Sequence, residues 1–175
     1  MKKKLIERVT VGSGGAASIT FSAISADYTD LLIVASIRST EGGTIDGLWV
    51  RPNGLTTNFS WRRLIGTGAA YSSASGTSND MGFISTAGQT ANTFGNFQLY
   101  IPNYASSVAK SLSCDSVTEN NATAAYQAIY AGLWNSTDPI TSIELRSSLS
   151  QNFVEHSTAS LFGVLAGSDG IVSVS

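Results

Sequence analysis

One stretch of the sequence, residues 93–134, constrains the fold more than any other because apolar and polar side chains alternate along it. A period of two residues is typical of half-buried β-strands and excludes an amphipathic helix. Three such runs are separated by residues 102–104 and 119–121, whose proline and asparagines favour turns. In the third run, Ile129 and Leu133 lie on one face, and Tyr130 and Trp134 on the other. The stretch therefore predicts a three-stranded antiparallel meander at the centre of an all-β domain.

The remaining chain contains more runs of strand character. We expect strands over residues 4–11, 17–23, 31–38, 45–51, 59–65, 81–85, 140–146 and 159–165. The first two form a predicted hairpin around residues 12–15, and residues 31–38, apolar on both faces at first, indicate a central strand. Residues 66–80 are rich in glycine and serine and are interpreted as a long loop. About ten strands with frequent turns predict an antiparallel two-sheet β-sandwich, jelly-roll-like in its wiring.

The predicted core consists of large apolar residues from several of these strands. Its members are Leu31, Ile33, Phe97, Leu99, Ile129, Leu133 and Leu161. A chain of 175 residues is long enough to bury such a core as a single domain, residues 1–175. Residues 166–175 have two interpretations, a C-terminal arm that reaches another subunit or a last strand of the chain's own sheet.

The composition is unusual in its low charge. Charged residues make up 13% of the chain and its net charge is −2, so it has no general attraction for nucleic acid or an anionic membrane. Serine, threonine and asparagine take the place of charged residues, which suits either packing against other subunits or simply a hydroxyl-rich β-protein. Cys114 is the only cysteine and lies on an apolar face, so we expect a buried thiol and no disulfide. The sequence shows neither a signal peptide nor a membrane span, which predicts synthesis and folding in a cytoplasm.

Motifs that would carry catalysis are weak. Residues 12–17 match a dinucleotide-binding pattern, but the residues that follow alternate as a strand, whereas pyrophosphate binding needs a helix N-terminus. His156 is the single histidine, and no residue is fixed as its partner. Glu144 and Glu155 lie in polar stretches without a sign that they converge, as a glycosidase pair must. We expect a protein that is not an enzyme and that binds no cofactor and no metal.

Candidate partner-binding residues are basic, aromatic or terminal. They are Lys3, Lys4, Trp61, Arg62, Arg63, Tyr71, Tyr104, Ile171 and Val172. Arginine beside an aromatic ring can stack on bases or sugars, and the alternative is an edge strand guarded by charge. For the exposed aromatic candidates, Trp61, Tyr71 and Tyr104, core packing or subunit contact competes with sugar binding.

The phrases YTDLLIV, YIPNY and SLFGV, within a pattern that runs over residues 5–165, resemble small virion structural proteins of tailed bacteriophages. The resemblance implies a non-enzymatic β-sandwich protein of the virion, made in the host cytoplasm, with capsid or tail proteins as partners. The first hypothesis is a capsid decoration (cement) protein that binds the outer shell. We expect it to bind as a homo-oligomer, and a trimer is favoured. A tail-fibre or receptor-binding module that recognises host surface glycan is the alternative, and a carbohydrate-active enzyme on the same fold is a third.

Overall fold

The computed structural model describes residues 2–122 and 124–165, and these residues form twelve β-strands and no helix. The all-β class predicted from the sequence is confirmed. In chain order the strands are β1 (Lys2–Thr10), β2 (Ser18–Phe21), β3 (Asp30–Ser39), β4 (Asp46–Pro52), β5 (Phe59–Gly66), β6 (Tyr71–Gly76), β7 (Asp80–Thr86), β8 (Gly95–Pro102), β9 (Lys110–Val117), β10 (Gln127–Trp134), β11 (Ile143–Ser147) and β12 (Thr158–Leu165).

Hydrogen bonds join the twelve strands into one large mixed sheet. Eight of them, which we call the wide run, are antiparallel neighbours in the order β1-β12-β3-β8-β9-β10-β5-β6. The other four, the narrow run, are antiparallel in the order β2-β11-β4-β7. The two runs meet where β3 pairs in parallel with β7, at Arg38 with Ser85 and at Ser39 with Thr86.

One part of the core lies where β7 packs across the meander of β8, β9 and β10. Two glycines allow this close approach. A Cβ atom on Gly132 would lie 2.8 Å from the sulfur of Met81, and one on Gly82 would lie 2.9 Å from the ring of Phe97. Larger residues at these positions would push β7 away from the meander, because a protein interior has no spare volume to accept them.

Several expectations about strands are confirmed. The meander β8-β9-β10 is antiparallel throughout, and β3 is a central strand between β12 and β8. Cys114 is buried. Of the predicted core, Leu31, Ile33, Phe97, Leu99 and Leu161 are fully buried.

The predicted burial of Ile129 and Leu133 is wrong, since their exposed fractions are 51% and 36%. These two residues share a face of β10, as the alternation predicted, but that face points to solvent. The opposite face carries Tyr130 and Trp134, which are buried. Because a large aromatic side chain removes more apolar surface from water than an aliphatic one, the aromatic face is the one that packs inward.

Two further predictions are corrected by the strand pairing. The segments 4–11 and 17–23 do not form a hairpin, because β1 pairs with β12 and β2 pairs with β11. Residues 66–80 are not one loop, because β6 lies within them and pairs with β5. A tight turn joins these two strands, in which the N–H of Thr67 donates to the carbonyl of Ala70 over 2.9 Å and Gly68 has a φ of 81°. It follows that β5 is not an edge strand. The charges of Arg62 and Arg63 therefore do not protect an exposed edge from pairing with another strand.

Candidate functional site

A candidate site is a groove on the solvent side of the wide run, which we call the outer groove. It crosses five adjacent strands, β8, β9, β10, β5 and β6, and has a volume of about 790 Å³. The residues of its solvent-facing wall include Arg62, Leu64, Ser73, Ser75, Gln98, Tyr100, Ser113, Asp115, Ile129 and Ala131.

Strand register determines the chemistry of the outer groove. Ile129 on β10 lies opposite Leu64 on β5 and opposite Asp115 on β9. In the next row, Ala131 lies opposite Arg62. Directly opposed residues of an antiparallel pair share one face of the sheet, so these side chains line a common surface. The floor is therefore apolar at Leu64 and Ile129, which are 55% and 51% exposed, with one cation and one carboxylate nearby.

Tyr100 forms one wall of the outer groove in a fixed orientation. Its hydroxyl donates to Oδ2 of Asp30 over 2.5 Å, and Oδ1 of Asp30 accepts the backbone N–H of Asn103 over 2.9 Å. This hydrogen bond to the carboxylate, together with burial, raises the pKa of Tyr100 to about 12. The phenol therefore stays neutral at physiological pH and keeps its proton for the hydrogen bond to Asp30.

Arg63 lies behind the outer groove, in a cluster of aromatic rings. Its guanidinium carbon is 4.9 Å from the ring centroid of Trp61, 5.2 Å from that of Phe83 and 5.8 Å from that of Tyr130. It also donates to the hydroxyl of Tyr130 over 3.1 Å. With its flat faces covered by rings, the Arg63 side chain stabilises the interior and presents little surface to a partner.

Apart from Arg63, which is partly buried, the predicted partner-binding residues fall into three groups. Lys3, Lys4, Arg62 and Tyr71 are exposed, as such a role requires. Ile171 and Val172 lie outside the described residues. The expectation that Trp61 and Tyr104 are exposed is wrong: Trp61 donates through Nε1 to Ser78, and Tyr104 donates through its hydroxyl to the carbonyl of Ser25. Buried tyrosine and tryptophan need such partners for their polar atoms, and here the partners come from neighbouring loops.

The structure separates the exposed candidates. Lys3 and Lys4 are on β1, at one end of the wide run, whereas Arg62 and Tyr71 are on β5 and β6, at the other end. Sequence reasoning missed the groove residues Leu64 and Ile129 because the inward face of β5 was not assigned and that of β10 was assigned the other way round. Asp115 was placed on the polar face of β9, as the structure has it, but was not connected with a site. Apolar residues on both faces of β10 were the signal that could have indicated an exposed apolar surface.

Among residues 2–122 and 124–165, no hydrogen bond or ion pair joins the residues considered for catalysis, His156, Glu144 and Glu155, to one another. His156 is exposed in a turn with a φ of 71°, and Glu144 forms an ion pair of 3.1 Å with Arg51. Within these ranges no group of three His, Cys, Asp or Glu side chains could hold a metal ion. The glycines at 12–15 form a turn that leads to strand β2 and not to a helix. No helix able to cross a membrane occurs in this part of the chain.

The outer groove thus has the chemistry of a binding surface: an apolar floor, short hydroxyl side chains and few charges. No protein-family model, curated protein or solved structure matches this chain.

Proposed function

We propose that this protein is a non-enzymatic structural component of a bacteriophage particle, most specifically a capsid decoration protein that binds the outer shell as a homo-oligomer. The observation that carries the proposal is the outer groove, in which Leu64 and Ile129 are about half exposed among uncharged hydroxyl side chains. An exposed apolar surface with a polar rim is typical of a site for another macromolecule.

The order of the strands supports a fold of the kind used in viral shells. The series β1-β12-β3-β8 and β2-β11-β4-β7 follow the alternation of a jelly roll, in which the chain passes repeatedly between two sheets. On this interpretation β9, β10, β5 and β6 widen the first sheet and carry most of the outer groove. We therefore propose a two-sheet jelly-roll sandwich with one extended sheet. Jelly rolls occur in viral capsid and lectin domains, and the fold does not by itself distinguish these roles.

The proposed mechanism is binding through many weak contacts. Each subunit buries a nearly uncharged surface, so closely packed copies repel one another little: charged residues are 13% of the chain and its net charge is −2. Linked subunits bind a repeating shell more tightly than one subunit does, because each later contact is intramolecular.

One observation favours the alternative role, a tail-fibre or receptor-binding module for host surface glycan. Around the apolar floor, Gln98, Asp115 and Arg62 present hydrogen-bond donors and acceptors at the surface. A saccharide offers hydroxyl groups to such side chains and C–H groups to Leu64 and Ile129. The same groove variants therefore test both roles.

The decisive experiment is reconstitution on phage particles that lack this protein. Purified chain is added to separated heads and tails, and the copies bound per particle are counted. We expect many copies per head, and we expect Ile129→Asp to lower head binding by at least about tenfold because a carboxylate then sits on the apolar floor. Leu149→Asp is the matched control, since Leu149 is also 51% exposed but lies outside the groove.

Each outcome of the reconstitution separates the roles. Binding to tails alone, together with groove-dependent binding of host oligosaccharides, would replace the decoration role by the receptor-binding role. Binding to neither heads nor tails would contradict both roles.

The His156→Ala variant should support the same particle assembly and infectivity as the natural chain. Loss of infectivity at normal assembly would indicate a chemical site that involves this histidine.

A further inference from the structure

Strand β6 forms an unprotected edge of the sheet. It pairs with β5 on one side, and no described strand pairs with its other side. Its sequence, YSSASG, contains neither charge nor proline, and every residue in it except Gly76 is exposed. An edge of this kind displays unpaired backbone N–H and C=O groups that readily accept another strand.

The other outermost strands of the described residues are protected. β1 carries Lys2, Lys3 and Lys4 and has a register irregularity between Leu5 and Glu7. β2 is only four residues long. Charge, bulges and short length are the usual means by which proteins prevent edge-to-edge association. β6 has none of these, which singles it out as an association edge.

From these observations we propose that two copies of the chain associate through their β6 strands, which pair antiparallel across a two-fold axis. The sheets of the two copies then form one continuous sheet. The proposal concerns only how copies of this chain recognise each other, and it stands independently of a role in a virion.

The β5–β6 hairpin determines which backbone groups are free for this pairing. The hydrogen bond from Thr67 to Ala70 closes the turn. Hydrogen-bonded and non-hydrogen-bonded pairs alternate from there along an antiparallel ladder. Ser72 and Ala74 therefore bond to β5, while Tyr71, Ser73 and Ser75 direct their N–H and C=O groups to the free edge.

Only one register of the two β6 strands pairs all of these free backbone groups. Tyr71 lies opposite Ser75 of the second copy, Ser73 lies opposite its own equivalent on the axis, and Ser75 lies opposite Tyr71 of the second copy. Each pair exchanges both N–H···O bonds. A shift of two residues in either direction leaves part of the edge unpaired. The contact is self-complementary, as a two-fold interface must be.

The side chains agree with this register. Tyr71 is 91% exposed, the largest exposed fraction among the large hydrophobic side chains of residues 2–122 and 124–165. In the dimer, its ring lies beside the short side chain of Ser75 of the second copy. Within that second copy, Ser75 lies opposite Arg62 on β5. The ring can therefore cover that guanidinium in a cation–π contact. Because each edge is used once, the assembly closes as a dimer, in place of the trimer favoured from the sequence.

Cysteine cross-linking tests the register. In a hydrogen-bonded antiparallel pair the Cα atoms are about 5.5 Å apart, within the range of about 4.4–6.8 Å that a disulfide needs. Ser73→Cys should therefore give a cross-linked dimer on mild oxidation. Ser72→Cys is the matched control, because Ser72 is also exposed but lies opposite Ala74 of the second copy in this register. It is therefore a diagonal neighbour of its own equivalent, about 7–8 Å away and beyond the reach of a disulfide. Cys114 is buried and does not compete. Equal cross-linking of both variants, or none in either, would overturn the proposal.

Sedimentation equilibrium of the full chain tests the dimer itself. We expect twice the chain mass of 18.3 kDa for the natural protein at about 100 μM. Ser73→Pro removes an N–H on the free edge, so it should give the monomer mass, while an unchanged far-ultraviolet circular dichroism spectrum shows that the variant is folded. Tyr71→Ser should weaken the dimer about fivefold or more. A monomer or a trimer in the natural chain, or a folded Ser73→Pro variant that remains dimeric, would contradict the proposal. If Ser73→Pro does not fold, the cysteine pair still decides.

Discussion

Nη1 of Arg63 lies 4.0 Å from Oδ2 of Asp80, yet the pKa of Asp80 is raised to about 6. Burial is the main cause, since it penalises the charged carboxylate, and the nearby carboxylate of Asp46 adds to it. The N–H of Gly82 and the guanidinium of Arg63 oppose the shift without cancelling it. Oδ1 of Asp80 is buried without a hydrogen-bond partner among the described residues, which agrees with the cost of charging this group.

The Asp80 carboxyl should make the protein's stability depend on pH. Its pKa rises from 3.8 to about 6 on folding, so between these values the folded protein holds a proton that the unfolded chain has released. The stabilisation is complete below the unfolded pKa and is lost as pH rises through about 6. Two pKa units correspond to about 3 kcal/mol.

The measurement compares the natural chain with Asp80→Asn by urea unfolding from pH 8 to pH 4. We expect the free energy of unfolding of the natural chain, relative to the variant, to rise by up to about 3 kcal/mol as pH falls. Asp115→Asn controls for loss of a negative charge at an exposed position. Parallel pH profiles for the natural chain and Asp80→Asn would contradict the assignment.

Buried and exposed aliphatic residues of the sheet should differ sharply in their contribution to stability. Leu99 and Leu161 are fully buried, so truncation of either to Ala should cost about 2–5 kcal/mol. Ile129→Ala should cost less than about 1 kcal/mol, because its side chain is half exposed. Guanidinium unfolding of the three variants tests this difference. A large loss for Ile129→Ala would mean that the solvent-facing side of β10 is covered in solution.

The position of Ile129 also shows what the sequence can and cannot predict. Alternation identified eleven of the twelve described strands and the residues that share a face in the meander. It could not decide which face of β10 is buried, because that strand is apolar or aromatic on both faces and the choice depends on what packs against it. The pairing of β1 with β12 was equally inaccessible, since strand partners far apart in sequence leave no local pattern. β6 was missed because a serine-rich strand has no apolar period, and hydrogen bonds to β5 hold it in place.

Buried charge was the other feature that sequence reasoning could not find. Lysine and arginine are usually exposed, and their burial depends on acceptors supplied by distant segments. Lys110 and Arg38 are both buried in this way.

Lys110 should be important for stability despite being a lysine. Its Nζ donates to the carbonyls of Ser106 and Asp138, each over 2.7 Å, and lies 5.9 Å from the ring centroid of Trp134. Lys110→Met keeps the length of the side chain but leaves these buried carbonyls without their donor. We expect a loss of about 2 kcal/mol or more in the free energy of unfolding. Lys4→Met, at an exposed position, is the control, and equal effects of the two changes would contradict the prediction.

Arg38 should hold the loop between β7 and β8. Its guanidinium donates to the carbonyls of Thr90 and Thr93, each over 2.8 Å, and to that of Gln89 over 3.1 Å. Arg38→Lys keeps the charge but cannot span these acceptors, because an ammonium lacks the planar fork of a guanidinium. We expect faster amide hydrogen exchange over residues 87–93, measured by mass spectrometry, with β8 still protected. Arg51→Lys is the control, because Arg51 forms an ion pair with Glu144 and does not contact this loop through a hydrogen bond. Unchanged exchange in the loop would show that Arg38 is not what orders it.

The pairing of β12 between β1 and β3 has a consequence for synthesis on the ribosome. Both neighbours are translated long before β12, and β3 is rich in leucine, isoleucine and valine. Until residues 158–165 leave the exit tunnel, one edge of β3 has no partner, and an exposed apolar edge is prone to aggregation. Nascent chains stalled before residue 158 should therefore depend on chaperones to remain soluble, whereas completed chains should be released from them.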